Sequence, residues 1–293
     1  MIELRLPVDA GLADELEAHF CEDHQVHWML HENWKTHEHE LRGFFERREE
    51  MATELERLRA RFPALAGEPE LRELADRDWK EAYKLHFKPW HERGLHWVPV
   101  WEKDTYKLPP GEEIVYLDPG MAFGTGNHET TRLCVRRLLD ARDEWGPKVP
   151  EKRVLDAGCG SGILAISARK LGFRDIFAFD NDPDAVRISL DNAQLCSVAD
   201  LIEFKWADLS DGLFGRSADL LLANILSPVL CAHAHLLAGA VRPGGRLVLS
   251  GILDKEKHEV HATFAKALGE PDLSLNSQTD GDWADLCYEI ASE

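Results

Sequence analysis

Apolar and polar residues alternate from Ile2 to Val8, the period of a strand, and the run stops at Asp9. Leu12, Leu16 and Phe20 then fall four apart, which predicts a helix over 12–20. Alternation returns in His24–Phe45, with Val26, Trp28 and Leu30 on one face, and predicts one or two strands. Met51, Leu55, Leu58 and Phe62 form the apolar stripe of a highly charged helix over Glu46–Phe62, which Pro63 ends. A last strand over Glu70–Leu74 completes a β-α-β-β-α-β order, the layout of a small α+β, ferredoxin-like module over residues 1–78.

Residues 79–110 read as a linker. Trp79, Tyr83 and Phe87 suit a short helix that Pro89 ends, His96–Trp101 suits a strand, and Lys107–Gly111 is a loop. From Ile114 the rhythm becomes α/β. Strands are predicted at Arg153–Asp156, Ile176–Asp180, Ile202–Trp206, Asp219–Asn224 and Arg246–Ser250, with two closing strands near Leu273–Ser277 and Trp283–Ile290. Helices fall between them at Ser161–Leu171, Pro183–Leu195, Pro228–Ala240 and Glu256–Leu268; Asp182 is placed as a cap with Pro183 at the first helical position. Such alternation implies a mostly parallel sheet, seven-stranded and Rossmann-like, covered on both faces, over residues 111–293.

Composition narrows the function classes. The 34 Lys and Arg against 53 Asp and Glu give a net charge of −19. That balance disfavours direct nucleic-acid binding and suits a basic partner. Residues 1–78 hold 10 basic and 20 acidic residues, so over half of the excess lies in the first module. No apolar run approaches the ~20 residues of a membrane helix, and the start does not read as a signal peptide. The six cysteines are scattered without Cys-x-x-Cys spacing, as expected of free thiols in a cytoplasmic protein.

Val154–Gly162, Val-Leu-Asp-Ala-Gly-Cys-Gly-Ser-Gly, carries an apolar strand into three glycines and then a helix. Glycines at 158, 160 and 162 permit sharp turns and close approach of a ligand, and a helix start offers N–H groups. The spacing is Gly-x-Gly-x-Gly, not the Gly-x-Gly-x-x-Gly of dinucleotide folds. Asp156, just before the loop, is placed to take an ammonium, and Asp180, ending the next strand, to accept ribose hydroxyls. S-adenosylmethionine has both an amino-acid end and a ribose. A purely structural turn, or a nicotinamide site, is the alternative reading of the loop. With Asp180 and the loop in place, the stretch resembles class I methyltransferases, and Asp208 falls where that superfamily contacts the adenine amine; capping a turn is the other role for Asp208.

Leu117–Cys134 is the most specific stretch: Asp-Pro-Gly-Met-Ala-Phe-Gly-Thr-Gly-Asn-His-Glu-Thr-Thr precedes an amphipathic helix bearing Leu133, Leu138 and Leu139. Its residues suit a loop that folds over a ligand; a tight connection with Thr130 as helix cap is the alternative. The stretch closely resembles the PrmA-type methyltransferases, which modify the eleventh protein of the large ribosomal subunit. Ala223-Asn-Ile-Leu226, Leu249-Ser-Gly-Ile-Leu253, Gly281-Asp-Trp283, Asp76-Arg-Asp-Trp-Lys80 and Phe87-Lys-Pro89 extend the likeness. The resemblance implies S-adenosylmethionine contacts at Thr131, Gly158, Asp180 and Asn224, with Phe123 packed against the cofactor. It further implies that lysine or N-terminal amines of a basic ribosomal protein are methylated, with the acidic module recognising that partner and the enzyme monomeric.

Asn224 is the candidate catalytic residue. Its side-chain carbonyl, with the backbone carbonyls of Ile225 and Leu226, is placed to accept amine hydrogens and aim the lone pair. An ordinary strand-end asparagine is the alternative, and the following Ile-Leu, in place of Pro-Pro-Tyr, argues against glutamine and nucleobase-amine methyltransferases. Rival functions are a lysine methyltransferase of another protein, a small-molecule methyltransferase, and a non-enzymatic module that binds cofactor and ribosomal protein. His19, His24, His27, His31, His37 and His39 crowd one segment without zinc-type spacing, so no metal site is expected and surface strand histidines are the reading. The tryptophans of the first third read as packing residues.

Overall fold

The computed structural model of the chain describes residues 2–13, 16, 20, 28–33, 38–45, 47–73, 88–118, 128–270 and 272–291. The chain divides into two compact units, Met1–His86 and Phe87–Glu293.

In the first unit, strands β1 (Ile2–Val8), β2 (Trp28–Asn33), β3 (Glu38–Phe45) and β4 (Glu70–Glu73) form an antiparallel sheet in the order β2-β3-β1-β4. Residues 10–13, 16 and 20 are helical, and α1 spans Arg48–Arg61. The alternation along β1 puts Ile2, Leu4 and Leu6 into a core shared with Leu12, Leu16, Met51, Leu55 and Leu58. Trp28 and Phe45 meet edge to face at 5.1 Å. A Cβ at Gly43 would come within 2.6 Å of both rings, so only glycine fits there. Val26 and His19, His24, His27 and His37 lie outside the described residues.

The second unit holds a seven-stranded sheet in the order β10-β9-β8-β11-β12-β14-β13. Its strands are β8 (Arg153–Ala157), β9 (Asp175–Asp180), β10 (Glu203–Trp206), β11 (Ala218–Asn224), β12 (Val241–Leu253), β13 (Thr279–Asp280) and β14 (Trp283–Glu289). The five strands from β10 to β12 are parallel, and β14 runs antiparallel to β12 and β13. This is the class I methyltransferase fold. Helices α2 (Glu129–Trp145), α3 (Ile163–Lys170) and α4 (Pro183–Leu195) follow in chain order, then α5 (Leu209–Leu213), α6 (Ser227–Ala232), α7 (Ala234–Gly239) and α8 (Lys257–Ala267). Alternate strand residues serve two cores. Val154, Ile176, Leu220, Leu222 and Val248 pack with α2 and α3, while Leu155, Phe177, Leu221, Leu247 and Leu286 pack with α6, α7 and α8.

Residues assigned from the sequence to a linker enter this unit. β5 (Trp90–Glu92) and β6 (Leu95–Pro99) form a hairpin, and β7 (Glu113–Leu117) pairs parallel to β6. Leu95 and Trp97 are fully buried, Trp90 stacks on Trp97 at 3.9 Å, and the Trp97 indole N–H donates to Ser167 Oγ at 2.8 Å. Aromatic residues in short strands carry little periodicity, which is why the segment reads as a connection in sequence.

Other expectations shift in detail. The helix expected over Pro228–Ala240 breaks at His233 into α6 and α7. No strand forms over Leu273–Ser277. The segment runs beside β14, where Cys287 N–H donates to Asn276 O and Asp285 N–H to Gln278 O. Gln278 N–H, however, goes to the Asp285 carboxylate at 2.7 Å and not to a backbone carbonyl, which interrupts the ladder. His128, not Thr130, caps α2, accepting the Thr130 N–H.

Candidate active site

In an open parallel sheet a ligand crevice forms beyond the carboxyl ends of the strands, where the strand order reverses. Here β8 leads to β9 on one side while β11 flanks it on the other. The residues leaving β8 are the glycine loop, and the last residue of β11 is Asn224.

All three loop glycines have positive φ, at 74° for Gly158, 53° for Gly160 and 77° for Gly162, a region other residues adopt only with strain. A Cβ on Gly158 would lie 2.5 Å from Ile225 Cγ2, so the loop and the end of β11 approach as closely as glycine allows. The loop amides are consumed internally. Gly158 and Cys159 N–H donate to Phe179 O, Gly160 N–H to Asp180 Oδ2 at 2.9 Å, and Gly162 N–H to Cys159 O. The expected row of free N–H groups is therefore absent at these four positions. A phosphate, which needs such donors, is poorly served, whereas a ligand without phosphate is not penalised.

Asp180 organises this crevice, because its other oxygen accepts Asp182 N–H at 3.0 Å. A carboxylate offers about four lone-pair sites, so about two remain for hydroxyl donors. A cleft of about 220 Å³ opens beside it, lined by Gly158, Asp180, Asn181, Asp208, Ile225, Val229 and His233 among others. Asp208 takes the capping role read from the sequence, accepting Asp211 N–H at 2.8 Å at the start of α5, and it also lines the cleft. Val229 and His233 were not found by sequence reasoning, since a histidine inside a predicted helix carries no signal until the helix breaks there.

Among the buried side-chain polar atoms without a hydrogen-bond partner in the described residues, two belong to expected site residues: Thr131 Oγ1 and Asn224 Oδ1. Leaving such an atom unpaired costs about 1–3 kcal/mol, so at these two expected site residues an open hydrogen-bonding position is available to a ligand. They belong to neighbouring elements. Asn224 pairs in register with Ser250, and Ser250 Oγ–H donates to Thr130 O at 3.0 Å. Of the carbonyls proposed to help Asn224, that of Leu226 is committed to α6, accepting the Val229 and Leu230 N–H groups at 3.0 Å each. That leaves Asn224 Oδ1 and the Ile225 carbonyl of the three expected acceptors. Phe123 lies outside the described residues.

Asp156 differs from expectation. It is 1% exposed, and Oδ2 accepts Ala165 N–H at 3.0 Å, stapling the start of α3 to β8. Burial, together with the nearby Asp180 charge, pushes its carboxyl up to about 7. The folded chain thus holds this proton more tightly than the unfolded chain, whose aspartates ionise near ~3.9. The resulting stability is full below about pH 4 and is lost as pH rises to about 7. Asp156→Asn, neutral throughout, is expected to gain thermal stability over the parent at pH 8 and little at pH 4. A difference independent of pH would contradict a raised ionisation. No group of His, Cys, Asp and Glu among the described residues could hold a metal ion, and no described helix is long and apolar enough to cross a membrane.

The crevice fits S-adenosylmethionine: an acidic residue for a ribose, a cleft lined by Asp208 for a base, and two orphaned polar atoms toward the reacting end. Comparison with known proteins agrees. The model of the family described as "Ribosomal protein L11 methyltransferase (PrmA)" matches residues 9–289. A protein of Pelobacter propionicus named ribosomal protein L11 methyltransferase is 36% identical over 297 aligned residues, covering 98% of this chain and 88% of its own. One of the same name from Bordetella parapertussis is 43% identical over 227 residues, covering 75% and 69%. The crystal structure of a ribosomal protein L11 methylase from Lactobacillus delbrueckii subsp. bulgaricus superposes with a TM-score of 0.58 at 31% identity, covering 68% of this chain and 96% of that one.

Proposed function

The chain belongs to the ribosomal protein L11 methyltransferase family and catalyses S-adenosylmethionine-dependent methylation of that ribosomal protein; from this premise we propose that the acceptors are lysine and/or N-terminal amines, steered into place by Asn224. The single observation that carries the proposal is the buried, unpartnered Asn224 Oδ1 at the end of β11. An amide oxygen only accepts hydrogen bonds, so it binds the N–H groups of an incoming amine and leaves the nitrogen lone pair to point elsewhere.

The cofactor, when bound, supplies a methyl group on a positively charged sulfur. Asp180 and Thr131 would hold it through its hydroxyl and polar groups, Asp208 through its base, and Gly158 by close backbone approach. Asp156 would meet the ammonium only as a carboxylate already bound to Ala165 N–H. A free lysine has pKa ~10.4, yet only the neutral amine has a lone pair. The half-buried position of Asn224 supports the uncharged form, because withdrawal from water disfavours the ammonium. Asn224 Oδ1 and Ile225 O then fix the nitrogen's orientation, and the proton leaves to water. Such positioning is a large share of what an enzyme contributes to a displacement.

The acidic first unit is proposed to recognise the basic substrate protein and present its amines. Incubation of purified ribosomal protein L11 with the chain and labelled cofactor tests both parts. The intact mass is expected to rise by whole methyl increments, with the label mapped to lysine or N-terminal nitrogens. Label confined to other side chains would refute the amine assignment. Removal of residues 1–86 is expected to leave cofactor binding intact while protein methylation falls to background. Full methylation by the shortened chain would refute the recognition role.

A further inference from the structure

Asn192 sits on α4, 1% exposed, and its amide reaches two elements. Nδ2–H donates to Ser161 O in the glycine loop at 2.9 Å, and Oδ1 accepts the Asp118 N–H at 2.8 Å. Asp118 directly follows β7. One turn earlier on α4, Ser189 Oγ–H donates to Gly160 O at 2.8 Å. The same face of α4 therefore holds two successive loop carbonyls, and of these two side chains Asn192 also holds the end of β7. The chemistry is matched at each end. A carbonyl accepts and a backbone N–H donates, and among small side chains only an amide supplies one donor and one acceptor in a fixed plane.

We propose that Asn192 is a positioning residue for the cofactor-binding loop. It ties the glycine loop at Ser161 to the end of β7 at Asp118, and so sets the place of the loop although Asn192 itself touches no ligand. The inference rests on the reading that the glycine loop holds the cofactor. Asn192→Asp retains shape and the acceptor for Asp118 N–H, but sets a carboxylate oxygen against Ser161 O. Asn192→Leu removes both bonds. Ser189→Ala removes a loop bond without touching Asp118.

The test is calorimetric titration of the full-length chain with S-adenosylhomocysteine, together with steady-state kinetics on ribosomal protein L11. Both Asn192 variants are expected to raise the Kd and the cofactor KM by about tenfold or more, as for loss of a buried hydrogen bond with its partner left behind. The kcat at saturating cofactor and the KM for the protein acceptor should stay close to the parent, while the thermal midpoint of each variant falls by a few degrees. Ser189→Ala should shift the cofactor KM less. Parent-like cofactor affinity in both Asn192 variants would overturn the proposal. So would a fall of kcat at saturating cofactor together with a raised KM for the protein acceptor, or an effect of Ser189→Ala equal to that of Asn192→Asp. If the parent itself failed to bind S-adenosylhomocysteine, the cofactor reading would fall first and this inference with it.

Discussion

Asn224→Ala is expected to lower kcat by about a hundredfold or more while cofactor binding is retained, because the variant loses the acceptor that aims the amine. Asn224 is the last residue of β11, its backbone is already fixed by pairing with Ser250, and its Oδ1 makes no hydrogen bond within the described residues. Truncation therefore removes no hydrogen bond of that oxygen to a described residue, and the thermal midpoint should move little. Single-turnover kinetics at saturating cofactor, paired with calorimetry, would read the two quantities separately. Turnover equal to the parent would remove the assigned role, and loss of cofactor binding alone would move Asn224 from the acceptor to the cofactor.

The second large effect concerns the frame that holds α2. Arg137→Ala is expected to destabilise the second unit by about 3–5 kcal/mol. That corresponds to a fall of roughly 6–20 °C in thermal midpoint for a unit of this size. Arg137 on α2 donates from Nε and Nη2 to the two oxygens of Asp285 on β14, at 2.7 and 2.8 Å, and the Asp285 side chain is fully buried. Removing the guanidinium leaves a carboxylate without its counter-charge in the interior. Pairing the change with Asp285→Leu is expected to recover part of the loss, since the buried charge is gone while Gln278 N–H loses its acceptor. Because α2 begins at the His128 cap and carries Thr131, loosening it should also weaken cofactor binding. A midpoint within a degree or two of the parent would show that the pair contributes little.

Where local sequence chemistry was decisive, the structure follows it closely. Asp182 accepts Asp184 N–H and Pro183 opens α4, as their residue types require. The stripe of Met51, Leu55 and Leu58 is buried, β1 covers the Ile2–Val8 run, and the stretch read as one or two strands holds β2 and β3. The three glycines occupy a left-handed loop at a strand end. These features depend on residues within one or two turns of each other, and spacing alone carries them.

What sequence spacing could not carry was the destination of each polar group. Asp156 and Asp180 look alike in sequence, each an aspartate at or near a strand end. Packing buries one beneath Ala165 N–H and leaves the other at the crevice. The Leu226 carbonyl looked available until the following turn claimed it, and the loop amides until Phe179 and Asp180 did. Trp97 is core among residues far from it in sequence, and Ser167, 70 positions later, receives its indole N–H. The sequence by itself determined which elements form and which residue types stand at the strand ends, because periodicity, capping and glycine conformations are local. Only the tertiary structure decided which of those groups remain open to a ligand, because a hydrogen-bonding atom has few sites and distant parts of the chain compete to fill them.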